Sequence, residues 1–248
     1  MRETRSIMGM PITIEVVDDT AKVGMLADLF AYFSEVDERF STYKETSEIM
    51  SINRGELQIA DASTEMQEVF ALAEKTKAET DGYFNMQQPN GSLDPSGIVK
   101  GWAIFNAANL LRAQNVTNFY IDAGGDIESS GNNEEGLPWS VGIKNPFKQS
   151  EIVKVIYPKG AGIATSGSYI RGSHIYNPHN HQSELAEVVS LSVIGPNVLE
   201  ADRFATAVFA MGKGGIAFIE SLPGFEGYAI DKNGVATMTH NFEQYTNL

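Results

Sequence analysis

After residue 115 the hydrophobic period of this chain switches from helical to extended, and that single switch narrows the folds open to it. An opening strand, Pro11 to Val17, alternates apolar and polar residues. "GMLADLFAYFSEVDERF" then places Leu26, Leu29, Phe30, Phe33, Val36 and Phe40 on one helical stripe. A second helix is predicted through "STEMQEVFALAEKTKAET", with Ser63 or Thr64 as cap and Gly82 as stop. A third runs through "KGWAIFNAANLLRAQN", its core face formed by Ile104, Phe105, Ala108 and Leu111. Beyond it the runs are short, β-rich and broken by Gly, Pro and Asn: "NFYIDAGGDIESSG", "WSVGIKNPF", "IVKVIYP", "AGIATSGSY" and "VVSLSVIG". A further helix is expected at 200–211, a short one near 215–222, and a strand pair around "GYAIDKNGVATM" that turns at Lys232-Asn233-Gly234. Helices bunched ahead of strands fit an α+β class rather than regular βαβ winding. With no long linker, repeat or low-complexity segment, residues 1–248 read as a single domain of two intimate lobes.

Charge and composition remove several function classes. A formal charge of -14 argues against a nucleic-acid binder and against adhesion to anionic lipid. It leaves room for a phosphate-bearing small ligand, because a local cation or backbone N–H groups handle that anion. The chain has no cysteine, which excludes disulfides, thiolate metal sites and thiol nucleophiles. No apolar run approaches the roughly 20 residues of a membrane span, and the opening residues lack the apolar stretch of a signal peptide. The expectation is a cytoplasmic protein without membrane or nucleic-acid partners.

Three polar clusters stand where a purely structural sequence would not need them. "DPSGIVKG", Asp94 to Gly101, is a glycine-punctuated entry into a helix. Such an entry exposes backbone N–H groups, and Lys100 adds a point charge; equally, Asp94 or Ser96 could simply cap the helix. "DAGGDI", Asp122 to Ile127, has paired glycines that allow close backbone approach, and "GIATSGSYIRGSHIYNP" follows with His174 flanked by Tyr169 and Arg171. The third cluster lies in "LEADRFATAVFAMG", a core-type helix with Asp202 and Thr206 one turn apart on a single face. Hard oxygen donors suit magnesium or calcium. The alternative is that Asp202 caps the helix and Thr206 bonds back within it.

In combination these clusters resemble the FAD:protein FMN transferases of the ApbE family. The matching stretches are "IMGMPITIEV", "FSTYKETSEIMSIN", "TDGYFN", "DPSGIVKGWAI", "FYIDAGGDI", "GIATSGSY", "SHIYNP" and "EADRFATAVFAMG", in the family's order from residue 7 to 212. The resemblance implies an ApbE-like α+β fold, mostly antiparallel sheets packed with helices, bilobed with the flavin site in the cleft. It implies cleavage of FAD, release of AMP, and attachment of FMN to a threonine of an acceptor protein through a phosphoester, with Mg2+ as the ion. By position, Asp202 and Thr206 would ligate the metal by side chain and Gly97 by its carbonyl. Met8, Asp94, Lys100 and Ile175 match flavin-contacting positions, and Tyr43 is an aromatic suited to a ring face. His174 is the expected general base for the threonine proton, because imidazole titrates near working pH, and Asp202 joins it as catalytic through the metal.

The chain also departs from the family's pattern. "HIYNP" puts neutral Asn177 where an aspartate is common, and Arg203 stands beside Asp202 where a small residue is usual, able to pair with Asp202 or to reach a phosphate. The segment between "TDGYFN" and "DPSG" is short. With water in place of threonine the same site would be a magnesium-dependent FAD pyrophosphatase. A flavin carrier without turnover would keep the pocket but not need the Asp202–Thr206 pair. Thr165 in "GIATSG" raises self-modification as a further alternative.

Overall fold

The computed structural model describes residues 1–18, 24–167, 179 and 187–247. Eight strands pair in sequence-neighbouring fashion into one antiparallel sheet. They are β1 (Arg2–Ile7), β2 (Met10–Val16), β3 (Phe119–Ala123), β4 (Asp126–Ser130), β7 (Gly162–Gly167), β8 (Val188–Gly195), β9 (Glu226–Asp231) and β10 (Ala236–Met238), in that spatial order. The two strands left out, β5 (Val141–Asn145) and β6 (Lys148–Ile156), form a separate hairpin.

Alternation along the strands builds the layers. On one face of the sheet Ile12, Ile14, Phe119 and Ile121 pack against α1 (Met25–Phe40), α3 (Thr64–Glu79) and α4 (Ser96–Ala113). Further along that face Ala164, Leu191, Val193 and Ala229 meet α5 (Val198–Ala210) and α6 (Gly214–Glu220). On the opposite face Ile127, Ile163, Ile194 and Ile230 are covered by Val141, Ile143 and Ile156 of the hairpin and by Phe242. The sheet therefore lies between a helical layer and the small hairpin, an α+β architecture.

The helices follow their apolar stripes. α1 buries Leu29, Phe30, Phe33, Val36 and Phe40 as the stripe predicts, with Met25 taking the place of the part-exposed Leu26. Ser63 caps α3, its hydroxyl accepting the Met66 N–H at 3.3 Å, and Gly82 beyond the helix end has φ +80°. α4 begins at Ser96, four residues ahead of the periodic run, and is buried on nearly every side because α1, α3, α5, β3 and β4 all touch it. α5 begins at Val198, where Asn197 Oδ1 accepts the Glu200 N–H at 2.9 Å. Two elements carry no legible signal: β1, an exposed edge strand, and the six-residue α2 (Glu48–Asn53). No helix among the described residues is long and apolar enough to cross a membrane.

α4 and α5 are pressed together. A Cβ on Gly101 would lie 2.6 Å from Asp202 Cβ and 2.9 Å from the Val198 carbonyl oxygen, so only glycine permits this approach. The start of α5 is held from below by Glu128 on β4, whose Oε2 accepts the Val198 N–H at 2.8 Å while Arg112 of α4 bonds Oε1 at 2.6 Å. A carboxylate at a helix N-terminus is favourably placed, and burial nonetheless pushes the Glu128 carboxyl up.

Candidate functional site

A cavity of about 430 Å³ opens where α4 begins and α5 runs past it. Asp94, Ser96, Gly97 and Lys100 line it from α4 and the turn before it, and Asp202 and Thr206 from α5. Gly124 and Gly125, with φ of +63° and +99°, make the β3–β4 turn on another wall, joined by Gly9, Met10 and Pro11 at the start of β2. Thr165, Ser166 and Gly167 close it from the end of β7, and Lys144 reaches it from β5. "TDGYFN" contributes Tyr83, Phe84 and Asn85, and the short segment between it and "DPSG" contributes Gln88.

The charged centre is built from α4, α5 and β4. Asp202 is 3% exposed; its Oδ2 accepts the Gly101 N–H at 2.7 Å, and its Oδ1 lies 3.9 Å from Lys100 Nζ. Lys100 Nζ also sits 2.5 Å from Oδ2 of Asp126, which is fully buried. Asp126 Oδ1 accepts the Thr165 N–H at 3.0 Å, tying β4 to β7 beneath the cavity. One ammonium thus faces two buried carboxylates. Burial raises the Asp202 carboxyl well above the usual carboxylate range; Lys100 opposes the rise and Asp126 adds to it. Asp122, on the same wall, is likewise raised by burial although its Oδ1 accepts the Gly125 N–H at 2.8 Å.

The capping alternative for this face of α5 does not hold. Asn197 is the cap, and Asp202 is a full turn inside the helix. Thr206, one turn further, has a hydroxyl with no hydrogen-bond partner among the described residues, and presents it beside Gly97: a Cβ on that glycine would stand 3.5 Å from Thr206 Oγ1. Carboxylate, hydroxyl and a helix-start carbonyl are hard oxygen donors of the kind Mg2+ takes. Among the described residues no group of three or more His, Cys, Asp or Glu is arranged to hold an ion, so a metal here needs this mixed set, and the excess negative charge around Lys100 suits a cation. The donors fit.

The other expected residues divide. Asp94 and Lys100 line the cavity with Gly97, Asp202 and Thr206. Asp94 Oδ1 also accepts the Ser96 N–H at 3.0 Å, so it orders the entry to α4 as well as facing the cavity. Met8 sits in the β1–β2 turn with φ +56°, one residue before the cavity wall starts at Gly9. Tyr43 is 96% exposed in the loop after α1 and is not among the residues that line this cavity. His174 and Ile175 lie outside the described residues, as do Tyr169, Arg171 and Asn177. Arg203 follows neither sequence expectation. It turns away from Asp202 toward α3, bonding Glu200 at 2.6 and 2.9 Å, Glu79, and Thr76 Oγ1 at 3.3 Å.

Sequence reasoning singled out the Asp122–Ile127 stretch for its glycines but not for its carboxylates, and missed Lys144: Asp122 and Lys144 line the cavity, and Asp126 stands behind Lys100. The signal for Asp126 was present: a carboxylate directly after paired glycines, at the register position opposite Ala123 on the helix-facing side of the sheet. Thr165 is part of the wall, its hydroxyl sharing a 2.8 Å hydrogen bond with Ser192 Oγ.

The fold and site together are an antiparallel sheet whose helical layer opens an acidic, lysine-bridged cavity at a glycine-rich helix start. The ApbE family model matches residues 8–89 and 86–229. The chain belongs to the ApbE family. It is 31% identical over 172 residues to the FAD:protein FMN transferase of Escherichia coli K12, covering 66% of this chain and 49% of that protein. To the Vibrio cholerae FAD:protein FMN transferase it is 34% identical over 134 residues, 50% of this chain and 40% of that one. The chain spans about half the length of the curated relatives it matches. Among solved structures, the flavin transferase ApbE from Vibrio cholerae superposes with a TM-score of 0.86 at 22% identity, covering 99% of this chain and 98% of that one. The ApbE protein from Thermotoga maritima superposes at 0.89 and 19% identity, covering 100% and 99%. These likenesses establish the ApbE fold.

Proposed function

We propose that this chain is an FAD:protein FMN transferase that uses Mg2+, transfers FMN to a threonine of an acceptor protein and releases AMP. The observation that carries this reading is the meeting of Asp202, Thr206 and Gly97 around a cavity that also holds Lys100. The names of the curated relatives support it.

In the proposed reaction the acceptor threonine oxygen attacks the phosphorus on the FMN side of the diphosphate. A P–O bond forms to threonine, the P–O bond to the AMP phosphate breaks, and AMP leaves with the electron pair. A divalent ion bound by Asp202, Thr206 and the Gly97 carbonyl would neutralise charge on the phosphoryl oxygens. Lys100 brings a fixed positive charge to the same wall, and the first turn of the 18-residue α4 points its N–H ends toward negative charge. Asp126 holds the Lys100 ammonium from behind, so its direction is set before substrate arrives. Gly124, Gly125 and Gly97 keep the walls free of side chains where the substrate's backbone-facing edge would lie. His174 is proposed to accept the threonine proton.

The test is to incubate the protein with FAD and Mg2+, with and without a peptide bearing one threonine, and to follow AMP and peptide mass together. AMP with a peptide gain equal to FMN is expected. AMP without an adduct would replace transfer by hydrolysis, and FAD binding without AMP would overturn catalysis. Intact mass of the protein itself reads out any adduct on Thr165.

A further inference from the structure

The β5–β6 hairpin is linked to the cavity through Lys144, which lines the cavity from an exposed position on β5. In the hairpin register Lys144 pairs with Ile152 and Gly142 with Val155, so these four residues share one face. The opposite face, with Val141, Ile143 and Ile156, is buried against the sheet. The shared face is therefore turned outward and should be polar in a surface hairpin, yet Ile152 is 51% and Val155 46% exposed. Gly142 is open enough that Ile152 lies across it: a Cβ there would stand 2.6 Å from Ile152 Cδ1. Phe147, 58% exposed at the hairpin turn, extends the apolar surface. Contiguous exposed apolar residues of this kind mark an interaction surface.

Charge says what sort of partner fits. The chain as a whole carries -14, but residues 138–160 hold Lys144, Lys148, Lys154 and Lys159 against the single acid Glu151. This is a positive island on a negative protein, with Lys144 on the outward face itself, Lys148 paired with Glu151 near the turn, and Lys154 opposite Ile143 on the inward side. It attracts an acidic partner.

Building on the transferase reading, we propose that the outward face of β5–β6 docks the acceptor protein, through apolar residues with acidic neighbours flanking its threonine. The platform explains how a macromolecular nucleophile is brought to a cavity that could otherwise admit water. A partner resting on Ile152 and Val155 meets Lys144 at the cavity wall, so its threonine enters beside the charged centre.

The probes are short peptides with one threonine, flanked on both sides by leucine and aspartate in one peptide and by serine in the other. Wild-type protein with FAD and Mg2+ is expected to flavinylate the leucine–aspartate peptide with a KM about tenfold lower, the scale of burying one or two apolar side chains. The Ile152→Ser/Val155→Ser double variant should lose that preference while keeping kcat, FAD affinity by flavin fluorescence, and the thermal melt. Equal KM values with wild-type protein, or a preference retained by the double variant, would overturn the docking inference and leave flavin transfer standing. AMP release and adduct absent with both peptides would overturn the transferase reading itself and the docking inference with it.

Discussion

Asp202 and Arg203 follow one another on α5 and are equally buried, each 3% exposed, yet they sit in opposite kinds of surroundings. About 100° of helical rotation separates their side chains. Arg203 faces α3 and meets Glu200 and Glu79, with Lys75 3.8 Å from Glu79 and the Phe204 ring 4.2 Å beneath the guanidinium. Two cations answer two carboxylates there, and the protein completes its own charge. Asp202 faces α4 and shares one lysine with Asp126, next to a cavity. Among the described residues two buried carboxylates answer one cation, and burial pushes the Asp202 carboxyl up. A buried charge that the fold neutralises serves packing. Under the proposed function, the one left in deficit beside a cavity takes its partner from outside.

Replacement of the two neighbours should therefore give crossed phenotypes. Asp202→Asn keeps an oxygen for the Gly101 N–H and removes the charge that burial disfavours. Turnover is expected to fall by about 10³-fold, the loss of several kcal/mol of charge stabilisation, with a melting temperature equal to or above the parent's. Arg203→Met should do the reverse. Removing one partner of a buried pair is costly, and the partial exposure of Glu79 and Glu200 reduces the loss to about 2 kcal/mol. Urea melts should register that loss while kcat of the folded enzyme is unchanged. If both substitutions lowered the melt and spared turnover, the comparison would collapse.

Smaller effects sharpen it. Gly101→Ala inserts a methyl 2.6 Å from Asp202 Cβ, against backbone-anchored neighbours on the catalytic side of α5 alone. A stability loss of about 1–2 kcal/mol is expected from overpacking, accompanied by reduced turnover as Asp202 is displaced. Tyr43→Ala, at a 96% exposed site, should move the urea melt by less than about 0.5 kcal/mol.

α1 and α3 were legible because each buries a stripe of apolar residues, α4 and α5 because their apolar runs continue on nearly every side, and the later strands because Gly, Pro and Asn punctuate them. β1 was not, since an edge strand with exposed residues at most positions carries no alternation to read. The oxygen pair on α5 was legible as a helical spacing, but the meaning of that spacing depended on where the helix starts, and Asn197 rather than Asp202 proved to be its cap. "DIESS" misleads in another way. Its acids, Asp126 and Glu128, face the helical layer beside Lys100 and Arg112, while Ile127 faces the hairpin. Local pattern cannot show that two cations on a helix, 26 and 16 residues upstream, will meet those carboxylates. The direction of Arg203 was hidden for the same reason, because its partner Glu79 lies 124 residues away.

The most direct test of the deficit at Asp202 is the Mg2+ dependence of AMP release from FAD in the parent protein, Thr206→Val and Arg203→Met. Thr206→Val keeps the side-chain shape and deletes only the hydroxyl beside Gly97. The account predicts that chelation silences the parent, that Mg2+ restores it, and that half-saturation rises about tenfold or more in Thr206→Val but not in Arg203→Met. AMP release that survives chelation, or a Thr206→Val curve that overlays the parent's, would contradict it.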